Sequence, residues 1–343
     1  MHDATIIVDA MGGDSAPSVP LSAVLRVCRE HRLLRIILVG DEKQVYGAMP
    51  PHTAIPRNLE IVHAPEEIAM EESAATAART KTQSSLHVGM RLLTEGKGDA
   101  FFTAGNTGAA VAVAYFTSGL LPGISRPALA IVFPTMKQEK LVLLDLGATM
   151  EVKSETLFHF ALLGQALSHC ITGITEPRIK ILSVGEEGTK GKPVVIRAAE
   201  RVARTLNYRG FIEGNLLFKD PGADVIVTDG FTGNVSLKVI EGLSETIYEL
   251  IRAKIAPHPY WMKLSGLIFK ALFGATFQRF DYTRYGSALL LGINHLVGIG
   301  HGRSNAAAFR SGILTLARYA EEGLQKRFTR RMERDIVRAQ RYK

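Results

Sequence analysis

Four times in this chain an apolar, strand-like run ends in a small Gly/Asp/Asn turn and then opens a helix-like segment. The turns are Asp9-Ala10-Met11-Gly12-Gly13-Asp14, Thr103-Ala104-Gly105-Asn106-Thr107-Gly108, Asp229-Gly230-Phe231-Thr232-Gly233-Asn234 and Gly300-His301-Gly302-Arg303-Ser304-Asn305. A strand-to-helix turn aims free backbone N–H groups and the positive end of a helix dipole at one spot. In an open parallel sheet such spots lie along the carboxyl edge of the strands, where ligands bind. Four of them predict one pocket for an anionic substrate.

The rest of the chain keeps the same rhythm. Strands are expected near 5–9, 35–39, 59–63, 99–103, 129–133, 141–145, 179–184, 224–228 and 288–299, and helices near 17–31, 82–96, 106–118, 154–170, 193–206, 231–256 and 304–327. Alternation of this kind reads as βαβ units in a three-layer α/β/α fold with a mostly parallel sheet. No linker or internal repeat divides the 343 residues, so 1–343 reads as a single α/β catalytic domain. Its two cysteines, Cys28 and Cys170, both fall in helix-like segments, which argues against a disulfide framework and for a cytoplasmic setting. The opening residues lack the basic-then-apolar pattern of a signal peptide, and no run is long enough to span a bilayer.

Two segments stand apart. Residues 326–343 form a basic tail with eight Lys/Arg against two acids, Glu333 and Asp335, so most of the net charge of +8 sits there. It reads as a solvated, partly helical end or as a surface for an anionic partner. Within 250–285, Trp261 (the one tryptophan), Leu264, Ile268 and Leu272 share a helical face widened by Phe269 and Phe273, with Lys263 and Lys270 on another side. Such a stripe suits either a membrane interface or a packed dimer or core contact.

The turns carry the chemistry. Gly12 and Gly13 let backbone approach a ligand, while Asp9 and Asp14 read as caps or as partners for a cation. Asn106, Thr107 and Gly108 open a helix and suit a phosphate or a carbonyl oxygen, or act as a plain cap; Asn234 sits where its amide can serve an oxyanion. A fifth, more polar turn, Gly185-Glu186-Glu187-Gly188-Thr189-Lys190-Gly191-Lys192, places two lysines between glycines. It fails the G-x-x-x-x-G-K-[ST] nucleotide pattern, and the dinucleotide G-x-G-x-x-G is also absent. No G-x-S-x-G elbow or activated cysteine supplies a nucleophile, and no His/Cys/Glu cluster supports a metal site. The residues alone thus describe an α/β enzyme with an anion pocket, Lys and Asn as electrostatic groups, and no covalent intermediate, cofactor or metal.

Six segments together resemble a known family. Ile7–Asp14, Ala104–Ala109, Leu144-Asp145-Leu146-Gly147-Ala148, Gly185-Glu186-Glu187, Asp229–Val235 and Gly300–Ala306 look like the signature segments of the bacterial phosphate acyltransferase (PlsX) family, in order and at similar spacing from about residue 5 to 315. The resemblance implies a fold similar to phosphotransacetylase and isopropylmalate dehydrogenase. It implies a homodimer that makes fatty acyl-phosphate from acyl-acyl carrier protein and inorganic phosphate for phospholipid biosynthesis. The product would pass to the membrane glycerol-3-phosphate acyltransferase PlsY, and no nucleic acid is involved. Phosphate itself would attack the thioester, which explains the missing nucleophile. By the resemblance, Lys190 and Asn234 are the catalytic candidates. Asp9, Gly12, Gly13, Asp14, Asn106, Thr107, Gly108, Asp229 and His301 are expected to form the phosphate and substrate site. Arg79, Lys81 and Ser85 are expected to bind phosphate or the pantetheine arm. The 250–285 segment becomes a projecting amphipathic element that touches the inner face of the cell membrane, with dimer packing as its competitor.

The sequence departs from the family pattern at Thr149 and Lys192, where an Asn is usual, and at Phe211-Ile212-Glu213-Gly214, where Asn-x-Glu-Gly is usual. The competing activities are a phosphotransacetylase acting on acyl-CoA, a non-catalytic lipid-surface scaffold and a nicotinamide dehydrogenase. The last lacks its dinucleotide fingerprint.

Overall fold

The computed structural model describes residues 4–136, 139–188, 190–255 and 287–341. The apolar face of Trp261, Leu264, Ile268, Phe269, Leu272 and Phe273 lies outside the described residues. The elements run β1 (Thr5–Asp9), α1 (Ser18–Glu30), β2 (Arg35–Gly40), α2 (Glu42–Gly47), β3 (Leu59–His63), α3 (Ala74–Thr80), α4 (Ser85–Thr94), β4 (Ala100–Thr103), α5 (Thr107–Ser118), β5 (Ala128–Pro134) and β6 (Lys140–Leu144). They continue with α6 (Ser154–Thr172), β7 (Ile179–Leu182), α7 (Pro193–Thr205), β8 (Tyr208–Ile212), β9 (Val225–Val227), α8 (Gly230–Ile255), β10 (Ala288–Leu291), β11 (Val297–Ile299), α9 (Ala306–Glu321) and α10 (Leu324–Gln340).

The eleven strands among the described residues join one sheet in the order β3-β2-β1-β4-β11-β10-β5-β6-β9-β7-β8. Strands such as Ile6-Ile7-Val8 are apolar on both faces because both faces are covered. Alternate residues feed two cores: Ile6 and Val8 join one, with α1, α6, α7, α9 and α10, and Ile7 joins the other, with α3, α4 and α5. The result is the expected three-layer α/β/α arrangement, and seven of the ten strand pairings are parallel.

The three antiparallel pairings fall in the middle of the sheet, at β11–β10, β10–β5 and β5–β6. The block β3-β2-β1-β4-β11 therefore runs opposite to the block β6-β9-β7-β8. This corrects the expectation of a single carboxyl edge: the turns after β1, β4 and β11 leave one end of the sheet, and the turn after β9 leaves the other.

The basic tail is also corrected. Gly323, at φ +63, ends the expected long helix and starts α10, a left-handed position that suits glycine. One face of α10 buries Leu324, Phe328, Met332, Asp335 and Ala339 at helical spacing. Gln165 of α6 donates to Asp335 at 3.0 Å, and Arg331 pairs with the same carboxylate at 2.9 Å. Arg327 and Arg331 also donate to the carbonyls of Cys170 and Thr175. Part of the positive charge thus serves to dock the helix.

Candidate active site

The reversal of strand direction puts a cavity of about 430 Å³ over the middle of one sheet face. Leu129 and Ile131 of β5, Ala288 of β10 and Ile299 of β11 form an apolar floor, extended by Met70, Leu146, Met150 and Leu237. All four strand-to-helix turns reach it, from opposite ends of the sheet. Thr107 and Gly108 open α5, Gly300 through Ser304 precede α9, and Asn234 stands in the first turns of α8. Asp14 comes from the turn after β1. The N–H groups of Thr107 and Gly108, in the first turn of α5, have no acceptor among the described residues, so they remain available to an anion. The Asn234 amide and the exposed Arg303 guanidinium likewise make no hydrogen bond or ion pair among the described residues.

Several expected ligands instead brace the turns behind the cavity. Asp9 is buried and accepts from the Met11 N–H at 2.9 Å and the Thr103 hydroxyl at 2.7 Å. Burial pushes its carboxyl up, opposed by the Thr103 and Ser85 hydroxyls and the Met11 N–H. Ser85 is itself buried. A Cβ on Gly12 would meet Gly105 N at 2.7 Å and Asp9 Oδ2 at 2.8 Å, so this glycine serves close packing of two turns. Gly13 packs against the Gly302 carbonyl. Asn106 spends its whole amide on the protein. Its Oδ1 caps the Ala109 N–H at 3.0 Å, and its Nδ2 donates to Met70 O at 3.0 Å and Glu72 O at 3.1 Å. Asp229 caps Thr232 at 2.8 Å through both its N–H and its hydroxyl.

The basic candidates separate too. Arg79 is exposed at the end of α3, and Lys81 pairs with Glu72 at 2.6 Å. Lys190 is exposed and pairs with Glu187 at 2.7 Å, away from the cavity lining, whereas Lys192 reaches to 4.0 Å from Asp229 at the start of α8. Of the expected residues, Asp14, Thr107, Gly108, Asn234 and His301 line the cavity; Asp9, Gly12, Gly13, Arg79, Lys81, Ser85, Asn106, Lys190 and Asp229 do not.

A family model described as "Fatty acid synthesis protein" matches residues 4–327. A phosphate acyltransferase of Coxiella burnetii is 40% identical over 309 residues, 89% of this chain and 90% of the relative. A phosphate acyltransferase of Idiomarina loihiensis is 38% identical over 339 residues, 97% of this chain and 98% of the relative. The chain belongs to the phosphate acyltransferase family. Among solved structures, a phosphotransacetylase from Streptococcus pyogenes shares the fold with a TM-score of 0.58 at 18% identity, covering 94% of this chain and 95% of that one. A branched-chain phosphotransacylase from Enterococcus faecalis gives 0.55 at 12% identity, over 92% and 99%.

Sequence reading missed Lys238, Glu241 and Arg303. Glu241 is almost fully buried on the cavity wall, 2.9 Å from Lys238 Nζ and 3.3 Å from His301 Nε2. Withdrawal from water works upward on its carboxyl, but His301 and Lys238 outweigh this and hold it below the usual range. The signal was present: Asn234, Leu237, Lys238 and Glu241 recur at helical spacing, one face of α8. Among the described residues no helix is long and apolar enough to cross a membrane.

Proposed function

We propose that this chain transfers a fatty acyl group from an acyl-acyl carrier protein thioester to inorganic phosphate by direct attack, without an acyl-enzyme. One observation carries the reading: a single cavity joins an apolar floor to free helix N–H groups, an unengaged Asn234 amide and Arg303. The floor suits an acyl arm, and the polar groups suit a phosphate and the oxyanion its attack creates. Neither cysteine lines this cavity, and burial pushes the Cys28 thiol up to about 12, so the protein's thiols are poor nucleophiles here. Asn234 is the proposed oxyanion donor. Lys190 is kept as a proposed catalytic cation on family resemblance alone.

The proposed homodimer finds support in α8. Phe231, Val235, Val239, Leu243, Ile247 and Leu250 form an exposed apolar stripe along it, on a different side from the cavity residues. Contact with the inner membrane face rests on the sequence of 250–285 and on a product made for a membrane enzyme.

The test is donor choice. The protein is incubated with phosphate and either palmitoyl-acyl carrier protein or palmitoyl-CoA, and acyl-phosphate is trapped as the hydroxamate. Product from the carrier-protein donor is expected; product from CoA alone would overturn the reading.

A further inference from the structure

A buried carboxylate on the wall of an anion pocket calls for a physical reason, and Glu241 is one. Helix α8 crosses the cavity from end to end. It starts beside the turn after β6, where a Cβ on Gly147 would lie 3.5 Å from the Asn234 side chain. Two helical turns later, Glu241 lies 3.3 Å from His301 in the turn before α9. Seven residues separate Asn234 from Glu241, so the two share a face and stand about 10 Å apart along the axis. A hydrogen bond of about 3 Å at each end leaves about 4–5 Å between them, room for one tetrahedral anion joined to an acyl carbon.

Glu241 is engaged through one oxygen only. Lys238 Nζ at 2.9 Å and His301 Nε2 at 3.3 Å both lie on Oε2. Oε1 makes no hydrogen bond among the described residues and is not one of their enclosed, unpaired side-chain atoms, so it opens on the cavity. His301 and Lys238 hold the carboxyl below its usual range, and an ionised carboxylate can only accept.

We propose that Glu241 selects the attacking anion by its proton: Oε1 accepts a hydrogen bond from a P–O–H group, which admits phosphate and turns away sulfate. The inference rests on the acyl-phosphate reading. At neutral pH phosphate and arsenate each keep at least one proton, whereas sulfate has none. A bare sulfate oxygen would meet Oε1 acceptor to acceptor, on a wall with little water to separate them. A site built to hydrogen-bond a substrate hydroxyl rejects the analogue that lacks it for this reason. The other oxygens of the anion have donors in the Thr107 and Gly108 N–H groups and Arg303. Lys238, against Oε2, offsets the charge that the carboxylate brings to the site. Asp14, the other carboxylate on the lining, is exposed, so water can bridge it to a bare anion and it exerts no such choice.

The test titrates arsenate and sulfate against phosphate at constant ionic strength. The readout is the initial rate at which labelled phosphate enters acyl-phosphate from palmitoyl-acyl carrier protein. In wild type, arsenate is expected to compete with an inhibition constant near the phosphate KM, and sulfate at least about 10²-fold more weakly. Glu241→Gln keeps the size of the side chain; with its carbonyl turned to Lys238 and His301, it aims an amide donor at the anion. In that variant the phosphate KM is expected to rise about tenfold, and sulfate to compete within about tenfold of arsenate. Glu241→Asp keeps the charge but withdraws the acceptor by one methylene, so it should raise the phosphate KM and still reject sulfate. Sulfate competing as well as arsenate in wild type would overturn the proposal. So would a Glu241→Gln protein that rejects sulfate as wild type does, or a Glu241→Asp protein that admits it. Wild type forming no acyl-phosphate at all would instead overturn the acyl-phosphate reading and this inference with it.

Discussion

Asn106→Ala separates a phosphate ligand from a structural brace. The side chain caps α5 through the Ala109 N–H at 3.0 Å and holds the preceding loop through the carbonyls of Met70 and Glu72 at 3.0 and 3.1 Å. Losing the cap costs about 1 kcal/mol. Losing two donated hydrogen bonds costs about 1 kcal/mol each. The variant is thus expected to be destabilised by about 2–4 kcal/mol, read as an earlier midpoint in urea unfolding. Asn106→Asp keeps the cap acceptor but turns a carboxylate toward two carbonyl oxygens, so it too unfolds earlier than wild type. Because Met70 lines the cavity, both variants should weaken acyl-donor binding more than phosphate binding. An unchanged midpoint together with a raised phosphate KM would refute this and make Asn106 a ligand.

The Asn234 amide makes no hydrogen bond among the described residues, so Asn234→Ala should leave the unfolding midpoint in place while turnover drops about 10²–10³-fold, the usual loss for one oxyanion donor; normal turnover would remove it from the chemistry. Lys190→Ala gives up only an exposed pair with Glu187 and should fold normally with a large loss of turnover; unchanged turnover would pass its role to the cavity's own Lys238 and Arg303. Gly12→Ala forces a methyl group against Gly105, Asp9 and Thr103 and should cost about 1–3 kcal/mol by overpacking, whereas a wild-type midpoint would refute the tight packing. For Asp224, desolvation works upward, yet the fork of Arg178 bonds at 3.0 and 2.9 Å holds its carboxyl below the ordinary value of 3.8. Its stabilisation is complete above that value and is lost as pH falls through the lower, folded one, so Asp224→Asn should flatten the acid limb of a stability–pH curve. A variant with the wild-type acid limb would count against the pair.

The alternating rhythm was legible because each buried strand is a short apolar run and each long helix has its own apolar face. Legibility failed where local sequence competes with tertiary context. The stretch expected as one strand over 288–299 is two antiparallel strands, because Gly292, at φ +87, begins a turn that a lone glycine within an apolar run does not announce. β8 was missed because Tyr208-Arg209-Gly210-Phe211-Ile212 is an edge strand with a register irregularity opposite β7, and edge strands need no continuous apolar run. α2 and α3 were missed because each is only six or seven residues long. In the site, Gly and Asn turns were found readily, but whether an amide faces the ligand or the next loop is decided by packing: Asn106 and Asn234 open similar turns, and only the second faces the cavity.

Strand direction decides the chemistry more than any single motif. Had all strands run one way, the turns after β1, β4, β9 and β11 would have lined one edge, and the phosphate site would have been a cradle of helix N-termini with nothing beneath it for an acyl chain. Reversal at β10 and β5 sends Asn234 and the start of α8 to the far end. The two sets of turns then face each other across Leu129, Ile131, Ala288 and Ile299. That places polar groups at the ends of an apolar floor, so a charged nucleophile and an apolar thioester arm can occupy one cavity without either being stranded in the other's surroundings. A charged residue in that floor should therefore act on the donor and not on phosphate: Ile131→Asp is expected to raise the KM for a palmitoyl donor more than for an acetyl one, with the phosphate KM little changed. Equal effects on both chain lengths would mean that the acyl chain lies elsewhere.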